Sequence, residues 1–80
     1  MKIYDFDGKK NICGDRVKAA RKKLGLSQED LAARLQVSDV IIERNSISRI
    51  ESGARFVADY ELLALSKILR VTTDYLLGLE

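Results

Sequence analysis

The side chains of this 80-residue chain that could do chemistry are charged and amide groups, since it contains no histidine and one cysteine. Cysteine–histidine zinc sites and nucleophiles of the Ser-His-Asp or Cys-His kind therefore cannot be built. The carboxylates Glu29 and Asp30 resemble a catalytic pair only superficially, because they fall where a helix begins and negative charge is stabilised. A phosphate-binding glycine-rich loop is also missing. We expect no enzyme activity, no cofactor and no metal site.

The length and composition are those of one small globular domain. Eighty residues allow a single modest core, and 46% hydrophobic with 32% charged residues is an ordinary globular balance. One cysteine forms no internal disulfide, no apolar run approaches the ~20 residues of a membrane span, and residues 1–10 lack the apolar core of a signal peptide. We therefore expect a cytoplasmic protein that does not contact membranes.

The formal net charge of +2 hides an uneven distribution of charge along the chain. Residues 1–24 carry eight basic and three acidic side chains, whereas residues 25–60 and 61–80 have net charges of −2 and −1. A basic first third keeps an anionic partner open, although a run of charge taken alone is more often a solvated face. The alternative is that Lys22 and Lys23 form a solvated helix end, where cations complement the helix dipole.

Helical spacing of apolar residues predicts an all-α fold, a compact bundle of five short helices. A first helix over residues 14–24 ends at Gly25, and a second follows the capping box of Ser27 and Asp30. The third carries Ile47 and Ile50. The remaining starts and stops are Gly53 after the third helix, Asp59 and Thr72 as caps of the last two, and Gly78 at the end.

Two segments do not fit this helical pattern. Residues 1–13 are predicted to be an N-terminal arm or a short strand, so that the helical domain covers residues 14–80. Residues 37–44 contain a triplet of β-branched or apolar residues, Val40 to Ile42, with no cap and no clean period. Because exposing such a triplet is unfavourable, we expect part of it to fold back onto the core.

Three stretches resemble a known family in the right order. A helix, a short turn and a second helix is an arrangement that presents a helix to the DNA major groove. The stretches RVK and LGLSQEDLA (16–18 and 24–32), ISRIESG (47–53), and LLALSKIL with VTTDYLLG (62–69 and 71–78) resemble lambda repressor/Cro-like helix-turn-helix domains, the xenobiotic-response-element-type transcriptional regulators. The resemblance covers about residues 14–79. It implies a DNA-binding transcriptional regulator.

The chain departs from the family pattern in the turn before the recognition helix. Family members run from Leu-Gly-Val-Ser directly into that helix, but here Ile47 follows Ser38 by nine residues. The shorter spacing would put Asn45 at the buried position that suits Ile50, which would cost about 1–3 kcal/mol. We therefore place five extra residues within 38–42. Gln36 replaces the family's glycine, which leaves the angle between the two helices open.

The resemblance, in this register, implies which residues contact DNA. The bases would be contacted from the exposed face of the third helix, by Arg44, Asn45, Ser46, Ser48 and Arg49. Arginine suits bidentate contact with guanine, and asparagine with adenine. The alternative for Asn45 is that it caps the helix. The alternative for the two arginines is a solvated surface.

Other residues would position the domain on DNA. The amides at the start of the second helix offer donors for a phosphate. The expected phosphate contacts are Ser27, Gln28, Arg16 and Arg55. By resemblance, Arg21 and Glu51 form an ion pair that joins the first helix to the recognition helix. The alternative is two exposed charges that contribute little.

We expect a homodimer on a two-fold symmetric operator, acting as a repressor. The residues chosen for the dimer interface are Phe56, Val57, Leu76 and Leu79. Residues 3–6 would either exchange between subunits or track along the DNA. The competing hypothesis is a protein-binding module on the same fold, such as an antitoxin or a regulator that sequesters another factor.

Overall fold

The structure is a computed structural model that describes residues 6–80, so residues 1–5 of the predicted arm lie outside the described residues. Five helices follow in order: α1 (Gly14–Lys23), α2 (Gln28–Val37), α3 (Arg44–Glu51), α4 (Asp59–Leu69) and α5 (Thr73–Leu76). The predicted all-α fold is confirmed. Over residues 6–80 the β-structure is one isolated antiparallel bridge between Phe6 and Lys9. Within the same residues, no helix has the length and apolar character needed to cross a membrane.

The core lies where the five helices meet. Helix α3 packs against α1 and α2, while α4 packs against α1, α2 and α5. Every helix contributes at least one fully buried aliphatic side chain, because helices this short are unstable unless they pack together. The largest of these side chains are Val17, Leu31, Leu35, Ile47, Ile50, Leu65, Leu69 and Leu76.

All five helices end in the same way. Just beyond each helix one residue has a left-handed backbone, and the amides of that residue and the next bond back to carbonyls in the last turn. In α2, for example, the Val40 amide donates to the Leu35 carbonyl at 3.0 Å. The left-handed residues are Gly25, Asp39, Gly53, Arg70 and Gly78. The glycine stops predicted at 25, 53 and 78 are therefore confirmed.

The helix starts agree with prediction at two positions and differ at a third. Ser27 and Asp30 form the capping box, since each side chain accepts the other residue's backbone N–H at 3.0 and 2.9 Å. Thr72 accepts the Tyr75 N–H at 2.9 Å. The predicted Asp59 cap is wrong, because Ala58 occupies that position. The Glu61 carboxylate accepts the Ala58 N–H at 3.0 Å and so stabilises this helix start without a capping side chain.

Glycine is required at the start of α1 because this end of the helix touches α3. A Cβ atom on Gly14 would overlap the backbone carbonyl oxygen of Ile50, in the last turn of α3. Backbone cannot move aside as the end of a flexible side chain can. Gly14 therefore sets how closely α1 approaches α3.

The segment before α1 is bonded to the end of α3. The Lys10 amide donates to the Gly53 carbonyl at 2.8 Å. The Asn11 side-chain amide donates to the carbonyls of Ile50 and Arg55 at 3.1 and 2.8 Å, and its oxygen accepts the Gly14 N–H at 2.9 Å. Residues 10–13 therefore belong to the packed domain and connect the start of α1 with the exit of α3.

The lengthened turn between α2 and α3 covers residues 38–43. The start of α3 at Arg44 confirms the register that places Ile47 and Ile50 in the core. Part of the apolar triplet folds back, as predicted: Ile42 is 2% exposed and Val40 packs against the core, while Ile41 is 65% exposed. The turn is therefore held to the core mainly by Ile42.

Candidate nucleic-acid interface

Helix α3 has one buried face and one solvent-facing face. Its buried side chains are Ile47, Ile50 and Glu51, which point toward α1 and α2. Of the five residues predicted to contact bases, Ser46 is half-buried and the other four are exposed: Arg44, Asn45, Ser48 and Arg49. The Arg49 guanidinium also donates to the Ala54 carbonyl at 3.4 Å. The structure therefore brings the predicted base-reading residues together on one accessible surface.

The N-terminal end of α3 is exposed and has no side-chain cap. Glu43 occupies the N-cap position and makes no capping hydrogen bond. Asn45 lies inside the first turn, so the alternative that it caps the helix is wrong. Asn45 is exposed to solvent.

A buried polar cluster fixes the other end of α3. Arg21 donates from Nε and Nη2 to the two Glu51 carboxylate oxygens at 2.6 and 3.0 Å, and both residues are 7% exposed. The Arg21 Nη1 donates to the Leu26 carbonyl at 2.7 Å. Gln28 donates to Glu51 at 3.1 Å. This hydrogen bonding raises the pKa of Arg21 further above its usual range, and the cluster joins α1, α2 and α3.

The start of α2 is a second polar surface. The backbone N–H groups of Gln28 and Glu29 precede the first intrahelical bond, which Leu31 makes to the Ser27 carbonyl. Together with the positive end of the helix dipole, such amides can bind a phosphate. The Ser27 side chain is used in the capping box and that of Gln28 points to Glu51. At this start the backbone is therefore better placed than either side chain to meet a phosphate.

An ion pair connects the starts of α2 and α3. The Arg44 Nε lies 3.7 Å from a Glu29 carboxylate oxygen, and both side chains are exposed. The sequence pattern places Glu29 at a helix start and does not predict this pair. One signal was available: the capping box uses Asp30, so the neighbouring Glu29 is left to interact elsewhere.

The other two residues predicted to contact phosphates are Arg55, which has protein partners, and Arg16, which lies away from this surface. Arg55 donates to both Glu61 carboxylate oxygens at 3.0 Å and to the Phe56 carbonyl at 2.8 Å. The guanidinium lowers the pKa of Glu61, and the carboxylate raises that of Arg55. Arg16 is half-buried, with its guanidinium beside Gly78 after α5. The sequence did not predict Glu61 as the partner of Arg55.

Comparison with known proteins identifies the family. The helix-turn-helix family matches residues 17–76, which include α2, the lengthened turn and α3. The chain belongs to this family. The resemblance noted in the sequence is thereby confirmed, although the turn of this helix-turn-helix domain is longer than the family pattern that the sequence analysis used.

Similar proteins include a transcriptional regulator and a repressor. The HTH-type transcriptional regulator ImmR of Bacillus subtilis is 38% identical over 65 residues, 81% of this chain and 47% of that protein. Repressor protein C2 of Salmonella phage P22 is 39% identical over 66 residues, 82% of this chain and 28% of that protein. The chain thus spans about half or less of these relatives. A crystal structure of the P22 c2 repressor protein with synthetic operator 9T aligns with TM-score 0.68 and 36% identity, over 88% of this chain and 98% of that one.

The predicted dimer surface of this helix-turn-helix domain needs one correction. Leu76 is fully buried, because α5 packs this side chain between α1 and α4, so it cannot contact a second subunit. Phe56 and Leu79 are exposed and Val57 is half-buried. The Lys10 ammonium lies 5.5 Å from the centre of the Phe56 ring. The remaining candidate surface thus consists of Phe56, Val57 and Leu79.

Asn11 is a positioning residue that the sequence patterns did not predict. It holds the exit of α3 against the start of α1 through three backbone groups. In the sequence, the only signal for this role is that Asn11 stands three residues before a helical glycine. Many surface asparagines share that spacing. Its contacts with Ile50 and Arg55 join positions 39 and 44 residues apart, which no local pattern reveals.

Proposed function

We propose that this helix-turn-helix domain binds duplex DNA sequence-specifically as a homodimer and represses transcription. One observation carries the proposal. Helix α3 is fixed by its buried face and its C-terminal end, while its solvent-facing side presents Arg44 and Asn45 in the first turn and Arg49 one turn later. A short, rigidly held helix with an exposed polar N-terminal turn is what major-groove binding requires.

Each exposed side chain on α3 has a role in this proposal. Arg44 and Arg49 contact guanine through paired donors, and Asn45 contacts adenine. Ser48 lies one turn beyond Arg44 on the same face, and Ser46 is at its edge; both supply single hydrogen bonds. Support also comes from the relatives, one named a transcriptional regulator and another a repressor studied with an operator.

The phosphate contacts position the domain without reading sequence. The backbone N–H groups at the start of α2, after Ser27, donate to one phosphate, helped by the helix dipole. Gln28 can contribute through one N–H of its side-chain amide while the other N–H donates to Glu51. Arg16 and Arg55 contribute less, because both are half-buried and Arg55 is paired with Glu61.

A second copy of the chain completes the proposed site. Two-fold dimers place their recognition helices about 34–36 Å apart, one DNA turn, which doubles the number of bases read. The surface proposed for this contact is Phe56, Val57 and Leu79, which follow α3 and α5. Because Asn11 bonds both the Arg55 carbonyl in the segment after α3 and the Ile50 carbonyl in the helix, a contact there fixes the direction of both recognition helices.

The test begins with selection of bound sites from random duplex DNA. We expect the selected sequences to share a half-site repeated with two-fold symmetry. Fluorescence anisotropy then measures the dissociation constant for that site. Arg44→Ala and Arg49→Ala are each expected to weaken specific binding about 5- to 150-fold, the contribution of one bidentate base contact. Lys67→Ala, a change of an exposed residue on α4, is the control and should alter binding much less.

The salt dependence separates DNA binding from the alternative protein-binding role. If about 6–10 phosphates are contacted, affinity falls about 10³- to 10⁵-fold between 50 and 200 mM salt. Equally weak binding to selected and random DNA at low salt would contradict the proposal and favour a protein partner. Sedimentation of the complex gives its stoichiometry, and one chain per symmetric site would contradict the homodimer.

A further inference from the structure

The ion pair between Glu29 and Arg44 has no evident structural purpose. Both side chains are exposed and the closest nitrogen–oxygen distance is 3.7 Å, so the pair contributes little to folding. Asp30 already completes the capping box of α2, which leaves Glu29 unneeded for starting the helix. Packing between α2 and α3 already comes from buried side chains such as Leu31, Leu35 and Ile47.

The Glu29 carboxylate of this pair lies where a negative charge weakens the electrostatic attraction between the domain and DNA. Glu29 places a negative charge in the first turn of α2, where the proposed function puts a phosphate. Its partner Arg44 is the first residue of α3 and one of the proposed base-reading side chains. An arginine at this position can bind either of two groups on DNA: the anionic phosphates or the polar edges of the bases.

We propose that Glu29 is a specificity-determining residue that directs Arg44 toward base edges and away from phosphates. The inference rests on the proposed function. Its carboxylate occupies the Nε side of the Arg44 guanidinium, which leaves the terminal nitrogens to donate elsewhere. It also repels a phosphate that would otherwise compete for the same guanidinium. Non-specific binding is thereby weakened more than specific binding.

The test compares Glu29→Gln with the wild-type chain on selected and random duplexes. Without the carboxylate, Arg44 is expected to contact a phosphate on random DNA. Affinity for random DNA then rises, and the slope of log affinity against log salt steepens by about 0.9, the value for one added phosphate contact. The ratio of specific to non-specific affinity is expected to fall about fivefold, the lower end of one base contact.

A matched control variant distinguishes two effects of Glu29→Gln: loss of the contact that directs Arg44, and loss of one negative charge. Glu43 is an exposed carboxylate directly before Arg44, at the N-cap of α3. Glu43→Gln removes the same charge next to the same helix, and we expect it to raise both affinities in parallel with an unchanged ratio. In the Arg44→Ala background, Glu29→Gln is expected to leave the ratio unchanged, because the residue on which it acts is gone.

The possible outcomes distinguish this inference from the proposed function. If Glu29→Gln and Glu43→Gln raise both affinities by the same factor, Glu29 acts only through its charge and the inference is wrong. If Glu29→Gln lowers the ratio equally with and without Arg44, the effect does not pass through Arg44 and the inference is again wrong. If the wild-type chain itself shows no preference for any duplex, the proposed function fails, which the wild-type measurement alone reveals.

Discussion

The two ends of α3 are held in opposite ways. At the C-terminal end, Glu51 lies in a buried cluster with Arg21 and Gln28, and Asn11 bonds the Ile50 carbonyl. At the N-terminal end, the N-cap makes no side-chain bond and the Arg44 side chain has an exposed ion pair. The same eight-residue helix is therefore fixed at one end and accessible at the other.

This difference shows how a short helix can be both ordered and available for binding. A helix of about two turns is not stable alone, so its conformation must come from packing. Here the stabilising contacts are concentrated on the buried face and at the C-terminal end. The exposed side chains of the first turn, Arg44 and Asn45, are therefore not needed for folding and can be used for recognition.

Breaking the cluster at the fixed end should have the largest effect. Arg21→Ala leaves Glu51 as a buried charge without its partner, and we expect a loss of about 3–5 kcal/mol in the free energy of unfolding. Urea denaturation followed by circular dichroism measures it. Lys22→Ala, an exposed neighbour on the same helix, is the control and should change stability by about 0.5 kcal/mol or less. A similar small loss for Arg21→Ala would contradict the buried geometry.

The turn before α3 offers a matched pair of adjacent residues. Ile42 is 2% exposed and Ile41 is 65% exposed. We expect Ile42→Ala to cost about 2–5 kcal/mol through lost packing and a cavity. Ile41→Ala is expected to change stability by only about 0.5 kcal/mol. Equal losses, measured by urea denaturation, would mean that the turn is not held to the core through Ile42.

The close approach of α1 to α3 can be tested by adding one methyl group at Gly14. Gly14→Ala adds a methyl group where the Ile50 carbonyl oxygen lies, and we expect overpacking to cost about 1–3 kcal/mol. Alanine is the better helix former by about 1 kcal/mol, so a stabilised variant would show that the helices do not approach this closely. Lys18→Ala on the exposed face of α1 controls for changes in helix propensity.

Much of this fold could be predicted from local sequence patterns. The glycine stops, the Ser27 capping box and the apolar spacing of Ile47 and Ile50 each act within a few residues, so the sequence shows them directly. The lengthened turn was placed correctly because burying Asn45 without a partner would be costly. The Asp59 cap was wrong because Glu61 satisfies the start of α4 from within the helix.

The parts of the site that could not be predicted depend on contacts between distant residues. Asn11 and Ile50 are 39 residues apart, and Glu29 meets Arg44 only once α2 and α3 have packed. The expectation that Leu76 contacts a second subunit was wrong, because a four-residue helix has too little periodicity to tell its buried side. Such pairings follow from tertiary packing rather than from spacing along the chain.

Acid should weaken the segment beyond the fixed end of α3. The Arg55 guanidinium lowers the pKa of Glu61 in the folded state. The stabilisation is therefore fully present above the unfolded pKa of a glutamate, about 4.3, and is lost as the pH falls through the lower folded value. We expect Glu61→Gln to reduce the pH dependence of urea denaturation between about pH 5 and 2. An unchanged dependence would mean that the ion pair does not form in solution.

The smallest expected effects concern the left-handed residues that end α2 and α4. Asp39 and Arg70 have φ values of 66° and 59°, a backbone conformation that is unfavourable for side chains with a Cβ atom. We expect Asp39→Gly and Arg70→Gly to raise the free energy of unfolding by up to about 1 kcal/mol, measured by thermal or urea denaturation. The gain should be larger for Arg70, because aspartate tolerates this conformation better than arginine does. Since Asp39 lies in the turn that leads to the exposed end of α3, a stabilised Asp39→Gly variant with unchanged DNA affinity would show that this turn serves folding rather than recognition.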